Sequence, residues 1–176
     1  MNFVGVPQIK HMKHRYVTLF FFAFFTICSI ALKAQSASDD RVGSTFPAFS
    51  LPSVDGKIIT HYDLPLNKPV IVFYFDPGCE HCQQEGEWIN ESKKELENVT
   101  IVFVAYAEAG AVAEYRDKYV GGGDSNMFFL MDPKFQFDKI FGYSESPTIH
   151  IYNAQWVKTK VFRNEIAIEE ILNVIK

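Results

Sequence analysis

Cysteine is scarce in this 176-residue chain, which has only Cys28, Cys79 and Cys82. Cys28 falls in an apolar N-terminal stretch, so the folded part keeps two, three positions apart. A loop that short closes almost no chain entropy and stabilises little as a staple, which makes chemistry the better explanation of the pair. A second C-x-x-C and an H-x-x-x-H pattern are both missing. Zinc needs four ligands, and His61, His81 and His150 stand at no such spacing, so no metal is expected. Histidine is also missing directly after the pair, where Gln83 stands, and this excludes covalent haem attachment. Internal repeats and low-complexity tracts are absent. Acidic charge is missing from the N-terminus: residues 1–34 hold four of the 17 basic residues and none of the 21 acidic ones, so without them the chain keeps 13 against 21, a net charge near −8. No basic cluster survives to neutralise phosphates, so no nucleic-acid partner is expected.

The N-terminus itself reads as a targeting segment. Lys10, His11, Lys13, His14 and Arg15 form a basic region, and Tyr16 to Leu32 is an apolar run rich in Phe, ending near the small residue Ala34. Residues 1–34 are expected to be a signal peptide cut after Ala34, or an uncleaved anchor, since Leu32 is larger than a cleavage site prefers. Cys28 follows Ile27 where lipid attachment wants a small residue, and reads as apolar filler. Residues 35–44 are polar and small, a flexible lead-in to one domain over residues 45–176.

Within that domain, 46–51 and 58–60 flank an Asp55-Gly56 turn and predict a hairpin that packs on one edge of a sheet. Val70 to Phe75 is a continuous apolar run, the pattern of a strand buried on both faces of a parallel sheet. Asp76-Pro77-Gly78 stops it, and helix formers dominate from Cys79 to about Glu97. Further strands are predicted over 100–107, 127–131, 149–152 and 157–162, with helices over 111–119, 135–141 and 166–175. The order predicts an α/β domain, a three-layer α/β/α sandwich with a central mixed sheet and an N-terminal hairpin extension.

A strand-turn-helix junction suits reversible disulfide chemistry. The free N–H groups and dipole of a helix N-terminus favour a negative sulfur at Cys79, and Cys82, three residues on, is placed to close a disulfide without unwinding the helix. Between them, a protonated His81 would help hold the Cys79 thiolate, while Glu80 would work against it. Glu85 shares a helical stripe with Cys82 and Ile89, whereas Glu87, Glu91 and Glu95 mostly do not. A carboxylate on that packed face is expected to have a raised pKa and to trade a proton with Cys82.

These residues together resemble thioredoxin-like thiol:disulfide oxidoreductases of the extracytoplasmic TlpA and ResA type. The resemblance covers Val42 to Lys176 and rests on Phe46-Pro47-Ala48-Phe49-Ser50-Leu51 with Asp55-Gly56-Lys57, on Cys79-Glu80-His81-Cys82 after a strand, and on Ser146-Pro147-Thr148. It implies that Cys79 is the nucleophile, that Cys82 resolves and that Glu85 assists. It also implies that Pro147 is a cis-proline facing the disulfide, with Ser146 and Thr148 beside it where a substrate strand pairs. No metal or organic cofactor is implied. The implied partners are disulfide- or thiol-containing substrate proteins and a membrane redox partner, in the periplasm or at the outer face of the inner membrane, with reduction the expected direction. Two departures stand out: Gly78 replaces the usual Trp before the first cysteine, and Phe73 replaces the buried Asp of thioredoxin. Two alternatives stay open. The hairpin also resembles peroxiredoxin-like peroxidases, whose pattern wants Thr and Pro where this chain has Asp76 and Val72; a non-catalytic binding module of the same fold is the other.

Overall fold

The computed structural model describes residues 41–176. The expected signal peptide or anchor over residues 1–34, with Cys28, and the expected lead-in up to residue 40 lie outside the described residues. Among the described residues no helix is long and apolar enough to cross a membrane.

In chain order the elements are β1 (Ser50–Pro52), β2 (Ile58–Thr60), β3 (Val70–Phe75), α1 (Glu80–Glu91), β4 (Thr100–Ala105) and α2 (Ala109–Tyr119). There follow β5 (Met127–Met131), α3 (Phe137–Phe141), β6 (Thr148–Tyr152), β7 (Lys158–Arg163) and α4 (Ile168–Ile175). Five strands form one mixed sheet in the order β5-β4-β3-β6-β7, with β3, β4 and β5 parallel and β6 antiparallel to both of its neighbours, β3 and β7. The unbroken apolar runs follow from burial on both faces. Ile71, Phe73 and Phe75 alternate onto one face with Ile101, Phe103 and Ala105, under Cys82 and Ile89 of α1, Tyr115 of α2 and Ile171 of α4. Val70, Val72, Val102 and Val104 face the opposite way, against Phe46, Phe49, Leu51 and the two phenylalanines of α3. Each fully buried Phe contributes about 2–3 kcal/mol of transfer free energy. The result is the three-layer mixed-sheet arrangement expected, with the β1-β2 hairpin present.

That hairpin docks on the β5 edge, where Ser53 bridges Leu130 and the Val54 N–H donates to the Phe129 carbonyl at 3.1 Å. The end of the expected lead-in is held too: the Gly43 N–H donates to the Lys158 carbonyl and the Lys158 N–H to the Ser44 carbonyl, both at 2.8 Å.

Several boundaries differ from the sequence expectation. The helix after the cysteines ends at Glu91 instead of Glu97, because Ser92 leaves helical geometry (φ −101°, ψ 18°). The Asn126 side chain then takes the Leu96 and Val99 carbonyls at 3.0 and 2.7 Å, so these groups need no helical donors and the chain turns into β4. The third helix begins at Phe137, not Phe135. The buried Asp132 carboxylate accepts from the Gln136 and Phe137 N–H groups at 2.9 and 2.8 Å, and Phe135 sits at φ +51°, outside helical space.

Candidate active site

β3 carries the chain to the carboxyl edge of the sheet, and Asp76 reverses it. Its backbone carbonyl accepts from the Cys79 N–H at 3.0 Å and its carboxylate from the Gly78 N–H at 2.8 Å. Cys79 is the N-cap of α1, with extended backbone (φ −81°, ψ 122°), and its carbonyl accepts the first helical bond, from Gln83, at 3.0 Å. Both cysteines are free thiols. They are not equivalent: Cys79 is partly exposed at the positive end of the helix, whereas Cys82 is completely buried. Burial pushes the Cys82 thiol far above the ordinary range. A hydrogen bond to Cys79 and the proximity of Cys79 and Glu85 add to this, against a backbone hydrogen bond at Asp76.

Glu85 is 2% exposed, a carboxylate in the apolar layer beneath Cys82. Its Oε1 accepts from the Ile166 N–H at 2.9 Å, and its Oε2 has no protein partner. Burial raises its pKa to about 7; the Ile166 N–H works against this, Glu165 adds to it and His81 opposes it. Phe73 is also fully buried, so that strand position offers no carboxylate.

The Ser146–Pro147 peptide bond is cis. The β3–β6 register sets Thr148 opposite Tyr74, which brings Pro147 alongside Phe75, four residues before Cys79. Of the three residues expected to contact substrate, Ser146 is exposed while Pro147 and Thr148 are buried. The Thr148 hydroxyl closes the preceding turn, donating to the Glu145 carbonyl at 2.5 Å and accepting from its N–H at 3.2 Å. Glu80 is an exposed first-turn residue. His81 is turned to Glu165, whose carboxylate meets its Nδ1. Among the described residues no group of three or more His, Cys, Asp or Glu side chains could hold a metal.

Sequence reasoning missed two supports. One is Tyr115 on α2, whose buried hydroxyl donates to the Cys82 carbonyl at 2.6 Å. Gly86 makes this possible, because a Cβ there would lie 2.5 Å from that hydroxyl. A glycine inside a helix was the one available signal, since it weakens the helix unless packing requires it. The other is the β7–α4 loop. Asn164, at φ +80°, donates its N–H to the Pro147 carbonyl at 3.0 Å; Glu165 meets His81, and Ile166 holds Glu85. Nearby, the carboxyl ends of β4 and β5 border a cavity of about 450 Å³ lined by Tyr106, Ala107, Glu108, Ala109, Met131 and Pro133.

The AhpC/TSA family model matches residues 42–167. No curated protein matches the sequence. Among solved structures, the chain is similar to a secreted Mycobacterium tuberculosis disulfide oxidoreductase homologous to E. coli DsbE, at 20% identity and a TM-score of 0.60, over 71% of this chain and 92% of that one. It is similar to peroxidoxin BcpB of M. tuberculosis at 17% identity and a TM-score of 0.65, over 76% of this chain and 95% of the other. A thioredoxin-like protein from Aeropyrum pernix aligns at 12% identity and a TM-score of 0.61, over 90% and 97%. At these identities the likenesses show a thioredoxin-like fold.

Proposed function

Since the chain belongs to the AhpC/TSA family, we propose that it is an exported thiol:disulfide oxidoreductase that exchanges a Cys79–Cys82 disulfide with other proteins, in the reducing direction. The observation that carries this is the inequality of two thiols at one helix N-terminus, Cys79 within reach of a partner and Cys82 sealed beneath it. The Cys79 thiolate attacks one sulfur of a substrate disulfide; an S–S bond forms between enzyme and substrate, and the first substrate sulfur leaves and takes a proton. Cys82 then gives its proton to the Glu85 carboxylate and attacks the Cys79 sulfur, which releases the second substrate thiol and leaves an enzyme disulfide. Two electrons pass from the cysteines to the substrate. Glu85, with a pKa of about 7, is poised to hold and return that proton near neutral pH.

The reducing direction is the one implied by the resemblance of Cys79-Glu80-His81-Cys82 and Ser146-Pro147-Thr148 to the TlpA and ResA type. Return of the enzyme disulfide to the dithiol needs an electron donor, for which a membrane redox partner is the proposed source. Export from residues 1–34, with action in the periplasm or at the outer face of the inner membrane, belongs to the same reading. Glu85 as proton carrier and Ser146-Pro147-Thr148 as the substrate-facing turn belong to this reading too, and the proposed roles of Cys79 as nucleophile and Cys82 as resolving thiol are tested by trapping. Cys82→Ala is expected to accumulate mixed disulfides with substrate proteins through Cys79, and Cys79→Ser to reduce insulin disulfides no faster than buffer. Undiminished reduction by Cys79→Ser would refute the scheme.

A peroxidase is the second reading, favoured by the family match and by the likeness to a peroxidoxin. Against it, Asp76 and Val72 stand where the peroxidase pattern wants Thr and Pro. Peroxide consumption at enzymatic rates without reduction of insulin would reverse the order.

A further inference from the structure

The β7–α4 loop meets the site at three points, and the scheme above leaves its charged residue unused. The Asn164 N–H is bonded to the Pro147 carbonyl and the Ile166 N–H to the Glu85 carboxylate, so Glu165, between them, is held by a hydrogen bond on each side. Its carboxylate meets Nδ1 of His81. His81 and Glu85 lie one turn apart on a single face of α1, and consecutive loop residues take one each. His81 is also the one cationisable side chain between the two cysteines. Were its ring beside the Cys79 sulfur, its charge would stabilise the thiolate and make the pair more oxidising. The His81 side chain is 68% exposed, so packing restrains it little. An exposed pair contributes little to stability, but choosing a ring's direction requires little.

We propose that Glu165 is a positioning residue that holds the His81 imidazole toward the β7–α4 loop and away from the Cys79 sulfur, and so keeps the dithiol reducing. The role rests on the reading of Cys79 and Cys82 as a redox pair. In glutathione the couple balances simply: the enzyme disulfide takes two electrons and two protons from two glutathione thiols, giving the enzyme dithiol and one glutathione disulfide. A cation beside Cys79 favours the dithiol side.

The test equilibrates the full chain with glutathione mixtures at pH 6 and reads the Cys79–Cys82 state by alkylation. Glu165→Gln is expected to shift the equilibrium toward the dithiol by about threefold to tenfold, the scale of one partly screened charge near a sulfur, tenfold being about 30 mV. Glu165→Asp should recover part of the shift, and in a His81→Ala background Glu165→Gln should change nothing. An equal shift without His81 would mean that Glu165 acts by its own charge, and no shift in either background would mean that it does not act; either overturns the proposal. If the wild-type chain forms no Cys79–Cys82 disulfide at any glutathione ratio, the redox pair itself falls, an outcome distinct from a pair that forms and ignores Glu165.

Discussion

Replacing Glu85 by glutamine keeps the side chain's shape and its acceptor for the Ile166 N–H, and removes one thing, the capacity to ionise. The buried carboxyl holds its proton up to about 7, against 4.5 for an ordinary glutamate. The folded protein therefore binds this proton more tightly than the unfolded chain does. Wild-type stability is full below about 4.5 and is lost as pH rises through 7. Burying the charged form costs about 3 kcal/mol, nearly all of it reached by neutral pH. The amide of the Glu85→Gln variant does not titrate, so the variant should gain about 3 kcal/mol on wild type between pH 4 and pH 8. The orphaned Oε2 position becomes an amide without an acceptor, an added cost of about 1–3 kcal/mol that is constant with pH. The quantity to read is thus the change in the difference, not its value at one pH. Urea unfolding of both reduced proteins across that range measures it. Parallel profiles would refute the burial argument. The same variant should form its disulfide about a hundredfold more slowly at pH 7, since Cys82 loses its proton acceptor. A chain that becomes relatively more stable and slower as pH rises is the signature of a carboxylate kept for chemistry at the expense of stability.

Two further perturbations test the supports. Gly86→Ala sets a Cβ against the Tyr115 hydroxyl and should break its bond to the Cys82 carbonyl; thermal unfolding should show a loss of about 1–3 kcal/mol, and Tyr115→Phe a smaller one of about 1 kcal/mol. If both variants unfold with the wild type, the contact contributes nothing. His150 is fully buried on β6, where desolvation first and then Lys158 and Arg163 hold its pKa down to about 3. The Ser144 hydroxyl, 3.0 Å from Nε2, also lies 3.0 Å from the Gly142 carbonyl; donating there, it accepts from Nε2–H and leaves Nδ1 as a bare acceptor. The unfolded chain takes up a proton near 6.5 that the folded protein refuses, so this group's stability is present above 6.5 and falls as pH drops. By pH 4 the loss is about 3 kcal/mol, and His150→Gln should remove it from the acid side of the urea profile; an unchanged acid limb would count against a neutral buried imidazole.

The strand-turn-helix run from Val70 through the start of the helix at Cys79 was legible in the sequence because each part is local. An apolar run buried on both faces needs no partner to be recognised, Asp76-Pro77-Gly78 breaks it, and the three-and-four spacing of Cys82, Glu85 and Ile89 puts the carboxyl on the packed side before any contact is known. Contacts between distant residues were not legible. The predicted helix stops six residues early at Ser92, and the turn that follows is tied by the Asn126 side chain to the Leu96 and Val99 carbonyls from 30 and 27 positions away. Sequence alone weighs His81 only against Cys79, and its Glu165 partner lies 84 positions on; the N–H that fixes Glu85 is 81 positions on and the Tyr115 hydroxyl is 33 from Cys82. The sequence by itself determined that two thiols stand at a helix N-terminus with a carboxyl beneath them, because helix period and apolar runs fix that within a few residues. Tertiary structure alone decided which groups restrain them, because a hydrogen bond to a loop depends on where the sheet returns that loop, and no local pattern records it.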